Sequence, residues 1–214
     1  MSGIDGLMPK PDDRWATATR RAQGVADLGL GRALKTYYTL YFPAGVIILF
    51  SVGMGLGILA FGSDQGDWAS LLAFGFNFAA LGAIIGGLLY NAKKIAPAAE
   101  LGKIDVLVSL ENEERKDIRR EVLGKAPVDP NHLAVSRAVA VQLRKNLATQ
   151  LTWMPALVFL FIPQVFRGDG VLSWVMALAV AVQVIAAILV ARDFRRTGRF
   201  LARTGGPRSG AQRP

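Results

Sequence analysis

Two carboxamides, Asn77 and Gln183, stand deep inside long uncharged apolar runs, nine residues after Trp68 and Trp174 respectively. Nine helical residues rise about 13.5 Å, which brings both amides near the middle of a hydrocarbon layer about 30 Å thick. An amide in hydrocarbon needs a partner, so the two can clamp one helix to another or line a polar path. Interhelical bonds of this kind average about 0.6 kcal/mol, so a clamp would orient helices more than stabilise them.

The remaining reactive residues are sparse. Cysteine is absent, which removes disulfides, thiolate chemistry and cysteine metal sites. The single histidine, His132, follows Asp129-Pro130 and reads as a solvated or capping residue. Glu113, Asp117 and Glu121 fall at four-residue spacing on one helical face, but Arg115, Lys116, Arg119 and Arg120 interleave them. That pattern is an exposed, ion-paired helix; catalysis there would need Glu113, Asp117 and Arg120 to converge. Gly53-Met54-Gly55-Leu56-Gly57 is no nucleotide loop, because it lies mid-run without a strand–turn–helix setting. Arg167-Gly168-Asp169 reads as a tight turn. No cofactor, metal or nucleic-acid motif emerges, and no diagnostic motif points to a family.

The elements that must hold these residues are four charge-free stretches: Leu40–Gly62, Trp68–Asn91, Leu147–Phe166 and Val171–Ala191. Each is near the length of about 20 residues that a helix needs to cross a bilayer. In a chain that is 52% hydrophobic with 19% charged residues, this predicts an all-α polytopic membrane protein of four spans, paired as two hairpins. The spans contain no ionisable residue, which argues against proton- or ion-coupled transport. A passive pore past Asn77 and Gln183 remains the main alternative to a non-enzymatic accessory or scaffold subunit.

Charge placement gives an expected orientation. Of the 25 Lys and Arg residues, 24 lie in residues 1–39, 92–146 and 192–214, and only Arg167 lies in a connection on the other side. The positive-inside rule then places both termini and the middle segment in the cytoplasm of a plasma membrane. Tyr37, Tyr38, Tyr41, Tyr90 and Trp153 fall at the expected inner boundary, and Trp68 and Trp174 at the outer one. The Ala, Gly, Arg and Val content suggests a bacterial source. No cleavable leader is expected, since polar residues precede the first long apolar run.

The expected organisation has five parts: a basic, loosely amphipathic segment 1–39, hairpin 40–91, cytoplasmic helical segment 92–146, hairpin 147–191, and a basic tail 192–214 that loses order after Thr204. In the middle segment Glu111, Glu113 and Glu114 suit a helix start and Gly124 its end; Asp129-Pro130 then restarts a helix as N-cap and first residue. From there a narrow stripe of Leu133, Ser136, Ala140, Leu143 and Leu147 runs into the third span. Small residues Gly53, Gly57, Gly75, Ala79, Gly82 and Gly86 permit close helix approach, within the bundle or in a homodimer. Arg192, Arg195, Arg196, Arg199 and Arg203 are expected on anionic headgroups, at roughly 1 kcal/mol per charge, with a membrane-protein partner as the other candidate. Tyr41-Phe42-Pro43-Ala44 and Trp153-Met154-Pro155-Ala156 open the first and third spans, 112 residues apart, which fits either a duplicated hairpin or the general liking of aromatics and proline for span ends.

Overall fold

The computed structural model describes residues 11–62, 68–101, 105–167 and 170–205. The connection 63–67, the turn at Gly168-Asp169 and the tail from residue 206 lie outside them. The described chain is helical: α1 (Pro11–Ala22), α2 (Leu30–Thr36), α3 (Phe42–Phe61), α4 (Trp68–Tyr90), α5 (Asn112–Val122), α6 (Leu133–Arg167) and α7 (Val171–Thr204). Four helical stretches are long and apolar enough to span a membrane, Leu30–Ala60, Trp68–Ile95, Pro130–Phe166 and Val171–Thr204.

These stretches are longer than the uncharged runs that announce them. Apolar composition stops at a charge, whereas helicity stops only at a breaker. Arg32 and Lys35 therefore sit inside α2, and α7 carries its arginines as a continuous helix. Two prolines shape the helix ends. The chain widens to i→i+5 hydrogen bonding over Tyr37–Tyr41 and over Asn91–Ile95, and each widened turn ends two residues before a proline, Pro43 and Pro97. A proline ring presses on the carbonyl four residues back and donates no N–H, and a wider preceding turn relieves both conflicts. Accordingly Phe42 N–H donates to Tyr37 O, and Ala96 N–H to Asn91 O.

The chain divides into two compact units. One comprises Met1–Leu28, Ala99–Asn146 and Asp193–Pro214, the other Gly29–Ala98 and Leu147–Arg192. The first unit buries Ala18 of α1, Val106, Leu107, Leu110, Ile118 and Val122 around α5, Val135, Ala138, Val139 and Ala140 of α6, and Phe200 of α7. The buried face of α6 is thus broader than the stripe through Leu133 and Ala140. The N-terminal segment is also more than a loose surface stretch. Gly24 and Gly29 adopt positive φ, 79° and 123°, and between them Ala26–Asp27 forms β1, which pairs antiparallel with β2 (Ala99–Glu100). Only glycine takes such angles without strain, so these two residues end α1 and start α2. Helix α5 opens with a reciprocal cap between Glu111 and Glu114, and Gly124 follows its end at φ 71°.

In the second unit α3 and α4 pack side by side, and aromatic rings link Phe42, Phe50, Phe76 and Phe159 at centroid distances of 5.1–6.1 Å.

Candidate functional site

The small residues form the seam between α3 and α4. A methyl group placed on Gly53 would stand 2.7 Å from Phe74 O and 2.8 Å from Phe78 Cβ. One on Gly57 would meet Leu71 and Phe74, and one on Gly75 would lie 2.7 Å from the Phe50 ring. Gly82 faces Leu49, and Ala79 is buried. Without side chains at these points the backbones approach closely and gain dispersion contacts. Gly86 differs, since a methyl there meets no heavy atom within 4 Å among the described residues. Its neighbour Gly87 takes the close approach instead, 2.8 Å from Thr152 O to a would-be Cβ.

That approach belongs to a polar junction the sequence reading missed. Pro155 of α6 has no N–H, so the carbonyl of Leu151, four residues earlier, loses its helical donor. Tyr38 Oη donates to it at 2.5 Å, and Tyr37 Oη donates to Thr152 O at 2.8 Å. Tyr90 Oη donates to Ala33 O at 2.8 Å, and Thr149 Oγ1 to Asn91 Oδ1 at 2.9 Å. Tyr37 and Tyr90 are therefore buried, with their rings 5.0 Å apart, while Tyr41, Trp68, Trp153 and Trp174 are the exposed boundary aromatics. The signal was present in the sequence: a mid-helix proline leaves one carbonyl in need of a donor, and tyrosines cluster at the start of the first apolar run. Nothing in the spacing said which tyrosine would supply it.

Asn77 and Gln183 are both half-buried. Among the described residues no hydrogen bond joins them.

In the first unit, several charged residues are used against one another. Arg14 donates to Glu111 at 2.5 Å and lies 3.5 Å from Glu114, whose carboxylate also accepts from Trp15 Nε1 at 3.1 Å. The Trp15 ring stacks on His132 at 3.6 Å, and His132 Nδ1 lies 2.7 Å from Asp129 Oδ2. Arg144 pairs with Asp27, both largely buried, and its guanidinium lies 4.7 Å above the Phe194 ring. Ser136, fully buried, donates to Glu121 at 3.0 Å. Asp129 accepts from the Asn131 backbone N–H, which, with His132, holds its carboxyl below the usual range. Glu113 and Asp117 pair with Lys116 and Arg120 on the exposed side of α5, and Glu113, Asp117 and Arg120 are all exposed.

The α7 arginines fall on one side of their helix. Arg192, Arg195, Arg199 and Arg203 are exposed, while Phe194, Thr197 and Phe200 are buried on the opposite side. At 100° per residue, positions 192, 195, 196, 199 and 203 share an arc of about 100°. Arg196 lies 3.8 Å from Asp193; the other four make no ion pair among the described residues. No protein-family model, curated protein or solved structure matches this chain.

Proposed function

We propose that the protein is a non-enzymatic, multi-pass subunit of a plasma membrane, with both termini in the cytoplasm, that works as an accessory or scaffold through contacts with protein or anionic lipid. The observation that carries this reading is the α7 arginine face. Four exposed guanidinium groups on one arc of a rigid helix, with no counter-ion of their own among the described residues, complement an acidic surface. Arg14 of α1, Arg144 of α6 and Ser136 of α6 are instead engaged inside the unit, with Glu111, Asp27 and Glu121 respectively. Four long apolar helices supply the anchor, and the glycine seam supplies close packing.

Extraction in mild detergent followed by cross-linking mass spectrometry tests the reading. Cross-links from a partner or a second copy to the cytoplasmic segments are expected, and Arg195→Gln with Arg199→Gln should weaken them. Recovery as a lone monomer, or a reporter at Pro214 active outside the cell, would sink it.

A further inference from the structure

Within the second unit a groove of about 340 Å³ opens between the helices that carry Tyr41 and Gly45 on one side and Gly86 and Tyr90 on the other, and Lys93 and Lys94 stand at one end of it. Its wall is apolar, and its hollow exists because glycine occupies positions 45 and 86: a methyl on either meets no heavy atom within 4 Å among the described residues. The charged end is of one sign. Lys93 and Lys94 are exposed and make no ion pair among the described residues, and the exposed Tyr41 makes no hydrogen bond there, so its hydroxyl is available as a donor. Tyr90, by contrast, spends its hydroxyl on Ala33 O and offers the groove its ring.

The dimensions select the occupant. From Gly82, at the apolar end, to Tyr90 the helix rises about 12 Å, close to the depth of one leaflet, about 15 Å. A slot one leaflet deep, apolar along its length and cationic with a hydroxyl donor at one end, matches one acyl chain under an anionic headgroup. We infer that this groove is a binding site for an anionic phospholipid, its acyl chain lying over Gly86 and Gly45 and its phosphate held by Lys93, Lys94 and Tyr41. The site rests on the membrane reading given above and deepens it by naming a second, separate lipid contact.

The full chain, purified in detergent and offered phosphatidylglycerol or phosphatidylcholine of the same acyl length, is read by native mass spectrometry. Phosphatidylglycerol should be retained about tenfold over phosphatidylcholine, in keeping with two basic residues near the headgroup. Lys93→Gln with Lys94→Gln should lower that ratio several-fold, what remains belonging to the α7 arginines. Gly86→Leu, which extends into open space, should lower retention of both lipids while circular dichroism and monomer mass stay unchanged. Equal retention of the two lipids by the native chain, or a ratio left unchanged by Lys93→Gln with Lys94→Gln, overturns the site. So does a dimer that dissociates in Gly86→Leu without change in lipid, which would give the groove to a second copy. Recovery of the chain in the aqueous fraction without detergent would instead bring down the membrane reading itself.

Discussion

The two units are assembled by different interactions, although the same two helices, α6 and α7, contribute to both. In the first unit every described ion pair is found, including Arg14 with Glu111 and Arg144 with Asp27 across about a hundred residues of chain. In the second, hydroxyls donate to backbone carbonyls and, from Thr149, to the Asn91 amide oxygen, and packing depends on residues without side chains. The difference follows from what each stretch of sequence can satisfy. Where charges are abundant, partial burial is tolerable only if opposite charges meet. Where they are absent, neutral hydroxyls serve the polar groups left over, among them the Leu151 carbonyl freed by Pro155.

Removing one member of a buried pair should therefore give the largest effect. Asp27→Ala leaves the Arg144 guanidinium largely buried without its carboxylate, and a loss of about 3 kcal/mol is expected. The Asp27→Ala, Arg144→Met double variant should recover much of it, because no charge is then stranded. Thermal unfolding in detergent reads both; equal losses in the single and double variants would show that the pair's charge is not what matters.

The seam of the second unit should respond to size rather than charge. Gly53→Val drives a branched side chain against Phe74 O and Phe78, at an expected cost of about 1–3 kcal/mol. Gly86→Ala meets open space and replaces the poorer helix former, so its stability should stay level or rise by up to about 1 kcal/mol. Similar melting shifts for the two would mean that they do not occupy different environments.

A smaller effect isolates the carbonyl junction. Tyr38→Phe withdraws the hydroxyl that donates to Leu151 O and should cost about 1 kcal/mol. In a Pro155→Ala background residue 155 regains an N–H that can serve that carbonyl, so Tyr38→Phe should cost less there. A double-mutant cycle measured by unfolding gives the coupling; a cost independent of residue 155 would assign the effect to ring packing.

How much of this could be read from the sequence depends on the range of the interaction. The four long helices were legible because hydropathy is summed over about 20 residues and no local exception erases it. The caps at Glu111, Gly124 and Asp129 were legible because each involves neighbours within four residues. Helix lengths were underestimated at α2 and α7, since charge ends apolarity without ending a helix. The Arg144–Asp27 pair, the stacking of Trp15 on His132 and the donation from Tyr38 were not legible at all. Each joins residues more than a hundred positions apart, and many other residues of the same type would have fitted the pattern equally well. For the glycines the distinction between Gly53 and Gly86 was likewise invisible: four-residue spacing names a face, and only the neighbouring helix decides which positions are covered.

The gentlest probe is pH, acting at Asp129 of the first unit. The Asp129 carboxyl is held below the usual range, first by the Asn131 backbone N–H at 2.9 Å and then by His132. A carboxyl whose folded value is depressed favours the folded state fully above its ordinary value near about 3.9. That contribution declines as pH falls below it, and is gone once pH passes through the lower folded value. Stability measured by urea unfolding in detergent should therefore fall on the acid side of pH 4, with the start of α6 among the first parts to lose amide protection. Asp129→Asn keeps a side-chain acceptor for the cap but has no proton to gain, so its acid-side slope should be shallower than that of the native chain. Identical slopes would show that the acid sensitivity does not come from Asp129.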